Sequence, residues 1–109
     1  MGELSTSERD TVAQIAAEPM LAEVESWSAI NSGSANLEGL EQVAAALADA
    51  FSHLPGELRL VDPAPVTAVE PNGAVRDVAH GRNLHLKVRP DAPVQLLFTG
   101  HMDTVYGAD

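Results

Sequence analysis

The sequence predicts a mixed α/β fold, and three observations carry that expectation. The first half holds apolar stripes at helical spacing. The second half holds an alternating apolar–polar segment and then a nearly continuous apolar one, as strands do. A long connection rich in proline and glycine separates the two patterns. Helices followed by strands that end in a central, doubly covered strand suit a layered α/β domain. A chain of 109 residues fits one domain or part of one, and an apolar content of 45% is enough for a packed core.

Ser5 and Glu8 have the spacing of a capping box, and Val12, Ile15 and Ala16 follow at helical intervals. Pro19 fits a first helical turn but not a helix interior, so a break or a fresh start is expected there. Leu21, Val24, Trp27 and Ile30 repeat every three residues, with Trp27 as a core residue. Asn31-Ser32-Gly33-Ser34 is a turn, structural in character, whose side chains could also hydrogen-bond near a site. Asn36 is the N-cap of the second main helix, whose stripe is Leu37, Leu40, Val43, Ala44, Leu47, Phe51 and Leu54. Pro55-Gly56 ends it. The overall expectation is two helices followed by strands.

Leu58, Leu60 and Val61 predict a short strand. Residues 62–82 read as a long connection with one short strand at residues 66–69. Leu84, Leu86 and Val88 alternate with His85 and Lys87, which places one face inward. Pro90-Asp91-Ala92-Pro93 is a turn, and residues 94–99 read as the central strand.

Composition narrows the function classes. The formal net charge is −10, with 16 acidic residues against 6 basic. Phosphate binding needs clustered Lys and Arg, so neither a nucleic acid nor an anionic membrane is an expected partner. With no cysteine, any metal must be held by His and carboxylate. The N-terminal residues lack the basic start and apolar run of a signal peptide, and no apolar run nears the ~20 residues of a membrane span. A soluble, cytoplasmic protein is the expectation.

Chemistry concentrates where the apolar run meets Gly100-His101-Met102-Asp103. Ligands gather outside the carboxyl ends of strands in open α/β sheets. In extended backbone, His101 and Asp103 project to the same side. The carboxylate can then accept the far ring N–H of the histidine, fix its tautomer and make the other nitrogen a better metal ligand. Spacing alone is a weak signal, because a strand-end histidine is more often a surface residue. His53 suits a dipole contact at a helix C-terminus, His80 an exposed connection, and His85 a polar sheet face.

Leu96-Leu97-Phe98-Thr99-Gly100-His101-Met102-Asp103-Thr104-Val105-Tyr106 resembles the first metal motif of a family of zinc peptidases and amidohydrolases. That family includes glutamate carboxypeptidase, acetylornithine deacetylase, succinyl-diaminopimelate desuccinylase and aminoacylase, and the first branch is the most similar. Ile30-Asn31-Ser32-Gly33-Ser34 is similar to the Asn-Ser-Gly turn after that family's first helix. The resemblance implies the N-terminal part of a zinc-exopeptidase catalytic domain (phosphorylase/hydrolase-like), without the lid and dimerisation domain or the rest of the catalytic domain. It implies that His101 binds one of two Zn2+ ions, with Co2+ or Mn2+ as substitutes, and that Asp103 acts in catalysis by orienting it. It further implies hydrolysis of a small amide- or peptide-linked substrate and a homodimer when intact. An exposed edge of the apolar central strand recruits another strand, so self-association of this part alone is expected, and with only His101 and Asp103 no amidase activity is expected from it. Asp109 follows the motif too soon to be the bridging Asp of that family. The competing expectation is a non-catalytic α/β piece or interaction module that keeps the fold.

Overall fold

The computed structural model describes residues 2–105; the expectations that fall on Tyr106 and Asp109 lie outside them. Three helices are followed by four strands: α1 (Thr6–Ala17), α2 (Met20–Ser28), α3 (Leu37–Phe51), β1 (Glu57–Val61), β2 (Val66–Val69), β3 (Val75–Val78) and β4 (Asn83–Lys87). The chain therefore mixes α and β, but its sheets are small and antiparallel.

Local signals set the helix boundaries. The Ser5 N–H donates to Glu8 Oε2 at 2.7 Å and the Glu8 N–H to Ser5 Oγ at 3.3 Å, closing the capping box of α1. The Ser5 hydroxyl, which also donates to Glu8 Oε2 at 2.7 Å, and after it the Ser5 N–H hold the Glu8 carboxyl below its ordinary value of 4.5. Pro19 separates α1 from α2, so the expected pair of helices is three. Neither α1 nor α2 buries a residue; Val12 and Ile15 are each 55% exposed. Trp27 is half-buried, not core.

Helix α3 is where burial occurs. Asn36 Oδ1 accepts from the Gly39 N–H at 3.1 Å and caps it. Helix α3 lies against a two-stranded sheet in which β1 pairs antiparallel with β4, Leu58 opposite Leu86 and Leu60 opposite Leu84, while the ends of its expected stripe, Leu37, Phe51 and Leu54, stay exposed. The alternation in both strands turns these leucines toward the helix and turns Arg59, His85 and Lys87 outward. The buried apolar residues are Leu40, Val43 and Ala44. Arg82, just before β4, forks onto the Glu41 carboxylate of α3. That contact holds Glu41 below 4.5 and raises Arg82.

Two further expectations are corrected. Residues 62–82 contain a second hairpin, because β3 joins the expected β2, with Val66 opposite Val78 and Val69 opposite Val75. Asn72-Gly73 makes its turn, with Gly73 at φ +84, where a side chain is strained. The larger correction concerns residues 94–99, which form no strand. Arg89 takes the left-handed conformation, φ 47, and the Gln95 amide donates to the carbonyls of Arg89, Pro90 and Ala92. Beyond this turn no strand pairing follows, and Leu97 and Phe98 stand 88% exposed. An apolar pattern states what burial would favour; a strand also needs a partner edge for its backbone groups.

The result is extended. The radius of gyration is 18.5 Å, against about 13 Å for a compact chain of this length. Among the described residues no helix is long and apolar enough to cross a membrane.

Two outcomes are expected. Uncovered residues such as Leu96, Leu97 and Phe98 drive self-association; sedimentation velocity across a concentration series checks this, and a monomer at all concentrations counts against it. Acid loosens the α1 capping box and the Glu41–Arg82 pair as well. Glu8 and Glu41 both titrate lower folded than unfolded, so their stabilisation is complete above about 4.5 and disappears as pH falls through their folded values. Helical circular dichroism should decline below that pH and hold steady above it.

Candidate functional site

The motif at residues 100–105 is fastened to the turn at residues 31–34 by backbone first. The Thr104 N–H donates to the Ser32 carbonyl at 2.9 Å, and Gly33 and Thr104 form a parallel bridge. Ser32 and Gly33 are buried there. The turn is itself braced on α3. Asn31 Oδ1 accepts from the Gly33 N–H at 3.1 Å, and the Asn36 amide donates to the Asn31 carbonyl at 2.9 Å. The Asn36 N–H donates to the Gly33 carbonyl at 2.7 Å.

Gly39 makes this brace feasible. A Cβ at Gly39 would stand 1.7 Å from the Asn31 carbonyl oxygen and 2.8 Å from its carbon. The turn crosses the first turn of α3 so closely that only hydrogen fits between them. The apolar stripe of α3 gave no sign of this, because the constraint comes from a segment packed across the helix.

On this frame the structure brings together His101, Asp103 and Ser34. His101 Nδ1 lies 2.8 Å from the Asp103 carbonyl oxygen and 3.1 Å from Asp103 Oδ1. A carbonyl can only accept, so Nδ1 carries the proton and donates it. In the neutral ring the lone pair is then on Nε2, which has no partner among the described residues. The His101 side chain is 82% exposed. The expected same-side placement of His101 and Asp103 is therefore present, with the backbone carbonyl as an additional acceptor.

The Ser34 hydroxyl donates to Asp103 Oδ2 at 2.6 Å. Together with the His101 contact, and against partial desolvation, this holds the Asp103 carboxyl below its ordinary 3.8, the hydroxyl being the larger cause. Asp103 is thus an acceptor-only carboxylate shared between two donors. The turn was expected to be structural, and it is; Ser34 also reaches the site.

The other histidines stay apart from it. His53 falls beyond the end of α3 at Ser52, and His80 is exposed in the connection. His85 faces outward opposite Arg59. Among the described residues no group of three or more His, Cys, Asp or Glu converges to hold a metal. One prepared imidazole does not satisfy an ion that takes three or four protein ligands.

Gly39→Ala is a sharp test of the frame. Helix propensity alone favours alanine by about 1 kcal/mol. Forcing a methyl group onto fixed backbone costs about 1–3 kcal/mol or more, so the net effect should be destabilising. Denaturant unfolding gives the sign, and loss of Thr104 amide protection locates the damage at the turn.

Comparison of the chain with family models, with curated proteins and with solved structures returns no match.

Proposed function

We propose that this chain contributes the first zinc-ligand element of a metal-dependent hydrolase of amide or peptide bonds, of the carboxypeptidase or deacylase type. The observation that supports this is how His101 is held. Its Nδ1–H is anchored 2.8 Å from the Asp103 carbonyl, with the carboxylate alongside, and its Nε2 faces solvent. A ligating histidine needs one nitrogen fixed by an acceptor so that the other presents its lone pair. Here His101 is a ligand to one of two zinc ions, and Asp103 is the residue that orients it. The resemblance of residues 96–106 to the zinc peptidase and amidohydrolase family supports the reaction class and a small amide- or peptide-linked substrate.

The described residues by themselves do not fit a zinc ion, because no cluster accompanies His101. Any further ligands and the general base would have to come from residues other than those described. A cytoplasmic location and a dimeric intact enzyme belong to the same proposal. A second reading, a non-catalytic interaction module, is favoured by the exposure of Val94, Leu96, Leu97 and Phe98, each at 75% or more.

Zinc titration followed by the ring signals of His101 tests the proposal. Weak, fast-exchanging binding at His101 is expected, and it disappears in His101→Ala. Asp103→Ala should weaken it by roughly 10–100-fold, the usual effect of losing a ligand's supporting acceptor. No cleavage of N-acyl amino acids or glutamate-terminated peptides is expected from the chain alone. A His101 ring indifferent to excess zinc sinks the metal reading and favours the interaction module.

A further inference from the structure

We infer that Ser34 is a positioning residue for His101, acting through the Asp103 carboxylate. The functional meaning of this rests on the reading of His101 as a metal ligand, but the geometry stands without a metal. The two carboxylate oxygens are divided: Oδ2 accepts from the Ser34 hydroxyl at 2.6 Å, and Oδ1 lies 3.1 Å from His101 Nδ1. A hydroxyl–carboxylate bond of that length is charge-assisted and among the stronger kinds. It joins positions 69 residues apart, so it is no by-product of local turn geometry.

Ser34 fixes what would otherwise turn. The outer torsion of an aspartate is broad, and without Ser34 the carboxylate could swing Oδ1 away from the ring. The Nδ1–H would then keep only the backbone carbonyl of Asp103 as acceptor. Ser34 is not a nucleophile in this arrangement. Its proton goes to the carboxylate rather than to the imidazole, so the ring does not activate it. Its location comes from the neighbouring backbone contacts, the Gly33–Thr104 bridge and the Thr104 N–H on the Ser32 carbonyl. The turn thus provides a support at Ser32 and Gly33 and a tether at Ser34.

The tether and the support can be separated by experiment. The whole 109-residue chain, labelled with 15N in histidine, is compared with Ser34→Ala and Ser34→Thr. The spectra are recorded at about pH 9, where an ordinary imidazole is uncharged. The original chain should show the Nδ1–H tautomer at His101. Ser34→Ala should lower the ratio of Nδ1–H to Nε2–H roughly tenfold, the scale of one hydrogen bond to a charged group. Ser34→Thr, which keeps the hydroxyl, should restore the ratio, and the Thr104 amide should stay protected from exchange in both variants. An unchanged tautomer in Ser34→Ala overturns the inference, because the Asp103 carbonyl alone would then set the ring. A change that comes with loss of Thr104 protection also overturns it, since Ser34 would then serve only to dock the turn. No metal is present in this measurement. Failure of His101 to bind zinc leaves the tautomer result standing, and an unmoved tautomer leaves the zinc proposal standing.

Discussion

The hydrogen bond from the Thr104 N–H to the Ser32 carbonyl, 2.9 Å long, is the constraint on which the arrangement of the candidate site depends. Gln95 ties the start of the last segment only to its own preceding turn. The next attachment to the rest of the chain is at the turn of residues 31–34. Because Gly33 and Thr104 bridge in parallel, Ser34 falls beside Asp103, and Asp103 in turn holds the His101 ring. Remove the backbone contact and a loop bearing a histidine remains, its ring held only by Asp103 of the same loop.

Burial and polar bonding divide the labour unevenly. The small core of Leu40, Val43 and Ala44 lies in the N-terminal part of α3, beside the buried Gly39 and next to the braced turn. Burial is therefore greatest beneath the site. It falls off toward α1 and α2, which bury nothing, and toward the second hairpin, whose valines 66, 69 and 75 are exposed. Regions with few buried contacts open at low free energy, so the helices at the N-terminus do little to hold the turn that supports His101.

What the sequence revealed follows from where each constraint originates. Caps and stripes are local, so Ser5, Glu8, Pro19 and Asn36 marked the helices within a residue or so, and the alternation around His85 oriented β4. The second hairpin had a local sign too, Asn72-Gly73 between two valine-bearing segments, but the surrounding prolines masked it. The pairing of His101 with Asp103 was legible from the two-residue period of extended backbone. Gly39 and the tether from Ser34 were not, because each depends on a segment brought from elsewhere in the chain. The strand expected at residues 94–99 is the converse case. Its apolar character is real, yet strand formation requires an unpaired edge at the right place, and no residue within the segment encodes that.

The segment from Val94 to Thr104 therefore has two halves with opposite requirements. Its polar half is satisfied within the chain: Thr104 on Ser32, Asp103 between Ser34 and His101. Its apolar half leaves Leu96, Leu97 and Phe98 between 78% and 88% exposed. Covering those side chains would bury apolar area and stabilise the segment, but it would add no acceptor for Nδ1 and no donor for Asp103. The orientation of His101 is set by hydrogen bonds that exist before any cover is in place. A side chain prepared in this way gives up little conformational freedom on binding, which is the energetic advantage of preorganisation.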